Sequence, residues 1–386
     1  MNTKRTRVAG LSVALLLCAL VVASAQAGAA KPQPSKVHQT ASGIRTLALA
    51  WPRVAYASGG RIHVWNVATG RTTAVKGNYS NSTHTIDAAE VAIAGTRVAW
   101  IKRVGYGNTE LGEKLFSASI AGRANVRKQG YIFGREDSAS AVGGWIAGVV
   151  GSGNVLAVST WKSNRASTRN AKLSRITPTG LRTIVTGPGA VVAQSANHGH
   201  IAVLRSIAAW PADEPSTPTT QPTVGVYSTR GKLLRGIVLS TLIPPPPSCG
   251  DCVGYPSTIF NSVALSGDRL VVLTETNPWT GSSSWTTKIE LYDWTSGALL
   301  QTWPLTFKPY ANNVAAPLAV HGRFAAVVGK RVHVIDLATG KEIMETPSCG
   351  SPAALDPHGL VYAASRGRGG KVVFVPMAKL LSALSK

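Results

Sequence analysis

The chain of 386 residues carries 40 Lys and Arg against 17 Asp and Glu, a formal net charge of +23. Acidic residues this sparse nominate no paired-carboxylate glycosidase site, and no Gly-x-Ser-x-Gly elbow, phosphate loop or zinc-protease motif is present. The charge favours anionic partners by long-range attraction and says nothing about fold.

The chain opens on a basic "MNTKRTR", continues with the apolar "VAGLSVALLLCALVVASA" and reaches small residues in "AQAGAA". These are the parts of a secretory signal peptide, with cleavage expected after Ala27 in the run Ala25-Gln26-Ala27. A retained membrane anchor is the competing reading, because the apolar run approaches spanning length. Cys18 follows Leu17, whereas a lipidation signal wants a small residue there. The expectation is a secreted or extracytoplasmic protein with no retained transmembrane segment. In that setting nucleic acid is not an expected partner, and the available polyanions are cell-wall polymers, acidic glycans and lipid headgroups. Beyond the leader three cysteines remain, Cys249, Cys252 and Cys349. In an oxidising compartment at least two should pair. No His follows Cys252 in "CGDC", which excludes covalent haem attachment. The local bridge and a bridge from Cys349 to either partner both stay open.

Past the leader the sequence repeats itself. "RIHVWNVATGRTTAV" (61–75) returns as "RVHVIDLATGKEIME" (331–345), and the hairpins "KLFSASIAGRANV", "KLSRITPTGLRTIV", "VGVYSTRGKLLRGI" and "IELYDWTSGALLQTW" are its relatives. Each alternates apolar and polar residues, reaches a turn with Gly, and resumes alternation. The turn glycines are Gly70, Gly122, Gly180, Gly231, Gly297 and Gly340; Gly supplies the positive φ that tight hairpin turns require. Upstream of each hairpin lies a second pair of short strands, from "LALAWPRVAYAS" to "AALDPHGLVYAAS". There are seven such pairs, whose second strands begin at Val54, Val98, Val155, Ile201, Leu270, Phe324 and Leu360. The starts lie roughly 36 to 69 residues apart and average near the four-stranded blade lengths of propellers.

Four short antiparallel strands per unit and seven units predict an all-β, seven-bladed β-propeller. The last unit has only "KVVFV" as its third strand before "PMAKLLSALSK", which reads as a terminal helix. Residues 36–45 are expected to supply the missing outer strand, closing the ring by pairing the chain ends and removing an open edge. The predicted division is a signal peptide over 1–27, a linker with a candidate closing strand over 28–42, and the propeller over 43–386. "VHVIDLATGKEI" and "IELYDWTSGALLQTW" resemble the repeats of quinoprotein-like and related secreted propellers, and "LDPHGLVYA" more weakly resembles periplasmic propellers of the Tol–Pal type. The segment 292–303 is similar to the tryptophan-docking hairpin of the quinoprotein-like family, with Trp303 as its closing indole. The resemblance implies architecture. Only this repeat carries the full pattern, and no adjacent Cys-Cys pair is present, so a bound quinone or other cofactor is not expected.

In a propeller the a–b and c–d turns share one face, and the b–c and d–a connections share the other. Here the first set is short ("AWPR", "SGDR", "ATGR"), and the second holds the insertions, with b–c loops expected near 102–113, 161–171, 206–223 and 276–287. Further d–a connections are expected at 128–139, 239–262 and 345–352. Long loops on a rigid scaffold are where binding sites usually reside. The loop 161–172 offers Lys162, Arg165, Arg169 and Lys172, and the loop 365–371 offers Arg366, Arg368 and Lys371, which suits an anionic ligand. "NPWTGSSSW" places Trp279 and Trp285 on one polar loop, where they stack on a sugar ring or fold back as a small cluster. The Pro/Thr-rich 210–223 reads as unstructured. His198, His200, His321 and His358 fall at a–b turns near the axis, without the close spacing of a metal motif; His63 and His333 occupy equivalent repeat positions. The functional expectation is a non-catalytic propeller that binds a protein partner or an anionic cell-envelope polymer through its long-loop face. An exported propeller enzyme, quinoprotein-like oxidoreductase or polysaccharide lyase or hydrolase, is the alternative.

Overall fold

The computed structural model describes residues 35–75, 85–105, 110–120, 127–135, 143–163, 169–188, 190–206, 222–239, 257–277, 286–309, 317–346, 352–366 and 369–385. The leader predicted over residues 1–27 lies outside them. They form seven blades of four antiparallel strands, lettered a to d from the axis outward. Blade 1 comprises Ile44–Ala50, Arg53–Ser58, Arg61–Asn66 and Thr72–Ala74; blade 2, Thr85–Ala94, Arg97–Gly105, Glu110–Ser119 and Arg127–Arg135; blade 3, Gly143–Ser152, Val155–Ser163, Arg169–Ile176 and Leu181–Pro188. Blade 4 comprises Ala190–Asn197, His200–Ser206, Thr223–Ser228 and Leu233–Val238; blade 5, Ser257–Ser266, Arg269–Asn277, Thr286–Asp293 and Ala298–Leu305; blade 6, Leu318–His321, Phe324–Val328, Val332–Asp336 and Glu342–Glu345. Blade 7 takes Ala353–Asp356, Gly359–Arg366 and Gly369–Pro376 from the end of the chain and Lys36–Thr40 from its beginning. Gly134 and Gly143 form one bridging pair, so blades 2 and 3 make a continuous eight-stranded ribbon. Among the described residues no helix is long and apolar enough to cross a membrane.

The ring closes as the repeat count predicts. Lys36 pairs with Phe374 and Thr40 with Gly370, which covers the edge that strand c of blade 7 would otherwise expose. Pro376 ends that strand, and the helix Met377–Ala383 follows where the other blades make their c–d turn. Leu380 of this helix is fully buried among Phe324, Val334 and Leu360, with Ile343 and Met344 of blade 6 beside it.

Packing follows the strand period of two. Successive side chains point to opposite faces of each blade, and each face meets a neighbouring blade. The apolar core accordingly divides into seven clusters, one at every blade–blade contact. Ile62, Ile93 and Trp100 fill the contact between blades 1 and 2, whereas Ile101, Leu115 and Val158 fill that between blades 2 and 3. Each fully buried aliphatic side chain of this kind contributes about 1.5–3 kcal/mol relative to exposure. No single blade buries both its faces alone, so the closed ring is the unit of stability.

The repeated hairpin of the sequence has a local cause. The last residue of strand c is Asn66, Asp293 or Asp336, and its side chain accepts the backbone N–H groups that the turn orphans. Asn66 Oδ1 accepts from Ala68 and Thr69; Asp293 Oδ1 accepts from Thr295 and Ser296; Asp336 Oδ1 accepts from Ala338. Gly70, Gly297 and Gly340 then close the turn by donating back to the carbonyl of that same residue. The Thr295 hydroxyl and its neighbours hold the Asp293 carboxyl at about 2. Asp336 sits at about 2 because the Arg323 guanidinium forks onto it at 2.6 and 2.5 Å. The two-residue a–b turns use glycine first in Gly95, Gly153, Gly267 and Gly322, all with φ near +55 to +60°, as the twist of tight hairpins demands.

Two loop expectations are corrected. Residues 128–139 are not a bare d–a connection, since Arg127–Arg135 form the outer strand of blade 2. The b–c hairpins also run further than the apolar stripe suggests: strand b of blade 3 continues to Ser163 and strand c starts at Arg169. The strands expected to end at 102 and to resume after 113 instead run to Gly105 and from Glu110. Polar residues beyond the core extend these ladders because backbone pairing needs no buried side chain.

Candidate functional site

The axis of the ring is a narrow channel of about 160 Å³ walled by the innermost strands. One level of the wall is Ala48, Ala92, Val150, Ser195, Ala264, Ala319 and Ala354, one residue per blade; small side chains are what lets seven strands converge. This volume falls below the roughly 300–1,000 Å³ of pockets that enclose drug-sized ligands. One inner-strand bulge, in blade 3, is served by two carboxylates. Glu113 Oε2 accepts from the Ile146 N–H at 2.5 Å and Glu90 Oε2 from the Val149 N–H at 2.7 Å, on either side of the bulge in strand a of blade 3. These acids join blade 2 to blade 3.

At the short-turn mouth, His321 feels the charges of His198 and His358, as expected of imidazoles near the axis; burial first, then those neighbours, push its pKa down, against Asp356. Among the described residues no three His, Cys, Asp or Glu side chains gather to hold a metal ion. Asp356 instead caps its own turn through the His358 and Gly359 N–H groups and accepts the Trp51 N–H at 3.3 Å. Trp51 stacks on His358 with ring centroids 4.6 Å apart, which seals the seam between blades 1 and 7.

On the opposite face the nominated cations are placed as follows. Lys162 is the penultimate residue of strand b of blade 3, opposite Asn170, and Lys172 lies in strand c between Thr160 and Thr186. Lys371 lies in strand c of blade 7, between Ala364 and Gln39. All three are exposed, and none forms an ion pair among the described residues. Arg169 opposes Ser163 and Arg366 opposes Gly369 at the b–c ends of their strands. Lys162, Arg169 and Lys172 therefore belong to hairpin arms, not to an irregular loop. In ring order blades 3 and 7 are separated by blades 1 and 2 on one side and by blades 4 to 6 on the other. Arg165, Arg368, Trp279, Trp285, Cys249, Cys252 and Cys349 lie outside the described residues, as does the Pro/Thr-rich stretch to residue 221.

A second titratable cluster was not read in the sequence, because it forms only when the closing strand of blade 7 is laid beside blade 1. His38 of the closing strand stacks on Trp65 of blade 1 at 5.5 Å, and its Nε2 lies 2.9 Å from the Tyr56 hydroxyl and 3.3 Å from that of Thr72. His63 stacks on the other side of Tyr56 at 5.3 Å. Burial pushes the tyrosine up to about 12, so its hydroxyl keeps its proton at neutral pH, and the imidazole tautomer sets which member of the pair donates. Burial lowers the pKa of His38 and, with Arg61 and His38 as lesser contributors, that of His63. Each lowered pKa means that the unfolded chain binds more protons in mild acid, so stability is present above pH ~6.5 and declines below it. The melting temperature should fall as pH drops from about 7 to about 5, and the double variant His38→Gln, His63→Gln should flatten that slope in calorimetry. An unchanged slope in the variant would assign the acid sensitivity to other groups.

No protein-family model matches the chain, and no curated protein sequence does either. Solved structures similar to it include a chain of the mitotic checkpoint complex, at 14% identity and a TM-score of 0.47 over 89% of this chain and 92% of that one. The WD40 β-propeller domain of Doa1 is 9% identical with a TM-score of 0.45, over 91% of this chain and 97% of that one. The AfRom2 CNH domain is 10% identical with a TM-score of 0.46, over 90% of this chain and 99% of that one. At these identities the likeness is one of fold.

Proposed function

We propose that this propeller is an exported, non-catalytic binding scaffold whose b–c and d–a face takes an anionic cell-envelope polymer or a protein partner. The observation that carries the reading is uncompensated charge on that face: Lys162, Lys172 and Lys371 are exposed and unpaired among the described residues, on a chain of net charge +23. Arg165, Arg169, Arg366 and Arg368 extend the same two hairpins in sequence. The narrow channel supports a surface role over an enclosed small-molecule one. The leader supports export, and N-terminal sequencing of the secreted protein should start at Gly28. Kinship with quinoprotein-like propellers is part of this proposal; the Trp303 hairpin supports it.

Capture on envelope material at low and high salt tests the reading. Neutralising Lys162, Arg165, Arg169 and Lys172 to Gln should weaken capture about tenfold, and adding Arg366, Arg368 and Lys371 should weaken it further, with the melting temperature almost unchanged. Wild-type capture should fall as salt shortens the Debye length from about 8 Å. Binding that ignores salt and survives neutralisation, yet is lost on replacing Trp279 and Trp285, would move recognition from polyanion to sugar stacking. Salt-insensitive binding that survives both sets of changes sinks the proposal.

A further inference from the structure

The outer strand of a blade has one unpaired edge, and sequences normally keep such edges polar. Three consecutive blades here do not. Leu181 opens strand d of blade 3 at 42% exposure, Leu233 and Leu234 open that of blade 4 at 53% and 38%, and Leu299 and Leu300 open that of blade 5 at 42% and 54%. Each follows its c–d turn directly, so all five stand on the short-turn rim, away from the face proposed above for the envelope partner. The blades are in contact along this rim. The backbone of Gly231 in the blade 4 turn lies against Ile184 of the blade 3 outer strand, and Arg235 of blade 4 donates to the Thr295 carbonyl in the blade 5 turn.

The rim is also cationic. Arg182, Arg230, Lys232 and Arg235 are exposed among the leucines. The outer strands of these blades contain no acid, and the one acid at their turns, Asp293, is occupied by its own turn. Elsewhere the equivalent position is treated differently. Blade 1 has Thr72 and Thr73 there, and in blade 6 Ile343 is half-buried beside the C-terminal helix. Among the described residues, exposed leucines follow the c–d turn in the consecutive blades 3 to 5; Leu381, on the helix that replaces the blade 7 turn, is exposed as well at 51%.

We infer that this rim is a docking surface for an anionic lipid surface. Aliphatic tips on adjacent hairpins, projecting from the convex edge of a disc and flanked by cations, match what an interface of acyl chains under anionic headgroups recognises. An amphipathic helix would instead be met by a groove. Two weak signals acting together, shallow apolar insertion and basic attraction, are what stable peripheral binding needs. The inference does not rest on the envelope-polymer reading, which uses the other face.

Co-sedimentation of the purified protein with vesicles of phosphatidylcholine alone, and of phosphatidylcholine mixed with phosphatidylglycerol, tests it. The wild type should bind the mixed vesicles and not the neutral ones. The variant Leu233→Thr, Leu234→Thr, Leu299→Thr, Leu300→Thr keeps every charge and the strand propensity, and should lose at least about tenfold in binding. A second variant, Arg182→Gln, Arg230→Gln, Lys232→Gln, should lose a similar factor. Matching melting temperatures exclude unfolding as the cause. Equal binding by the leucine variant would reduce the effect to net charge and overturn the inference. Failure of the wild type on mixed vesicles, or equal binding to neutral ones, overturns it as well. Capture of an acidic envelope protein through the same leucines without vesicle binding would assign the rim to a protein and remove the lipid.

Discussion

A chain that begins at Gly43 should melt about 5 °C below one that begins at Ser35, and should self-associate as its concentration rises. The shorter chain lacks Lys36–Thr40, whose five residues pair with Gly370–Phe374 and form the fourth strand of blade 7. Net backbone hydrogen bonds of about 1 kcal/mol each place the loss near 4 kcal/mol. Two contacts from this strand to blade 1 disappear with it: His38 on Trp65 and Tyr56, and the Lys36 ammonium on the Val67 carbonyl at 2.9 Å. The vacated edge carries Val372 and Phe374, both now buried, and a free strand edge of that composition templates pairing with another copy. Calorimetry of the two chains with sedimentation velocity reads both effects. Equal melting temperatures and monomers throughout would mean that the ring does not depend on its closing strand.

That closing strand was legible in the sequence by subtraction, because the seventh unit stops after "KVVFV" while the other six continue. The blades were legible for a related reason: turn chemistry is local, and Asn66, Asp293 and Asp336 mark the same corner in three repeats. Contacts between repeats were not legible. Nothing in the spacing of Glu90 and Glu113 shows that both serve the bulged strand of the next blade. His38 meets Tyr56 only because the ring brings the first strand beside the first blade. Hairpin lengths were misjudged where polar residues continue the ladder, as at Lys162–Ser163 and Arg169–Asn170. The leucine rim did leave a trace. "GKLLRG" and "GALLQ" place two leucines in succession where alternation calls for one, which no inward-facing pattern explains. For the nominated anion site, the sequence supplied residue types and hairpins, and the structure adds exposure for Lys162, Lys172 and Lys371.

Two glycines with one backbone conformation should differ sharply when replaced. Gly70 and Gly340 both close the c–d turn at φ +73°. A Cβ on Gly70 meets nothing within 4 Å, whereas a Cβ on Gly340 falls inside the indole of Trp303. That indole is 7% exposed and is the blade 5 side of the contact with blade 6, among Leu318, Val327 and Leu337. Gly70→Ala should therefore cost only the left-handed backbone penalty of about 1 kcal/mol. Gly340→Ala should cost that and the displacement of a buried aromatic ring, together about 3 kcal/mol or more. Trp303→Ala alone should cost about 3–4 kcal/mol through the cavity it leaves. In that background Gly340→Ala should fall back to about 1 kcal/mol, the non-additivity expected of two groups in direct contact. Denaturant unfolding of the four proteins and of Gly70→Ala measures each term. If the two glycine variants lose the same stability, or if the double variant is additive, the indole does not lock blade 5 to blade 6. The contact is between repeats, so a coupling there, and none at Gly70, is the signature of a ring held together blade by blade through its outer turns.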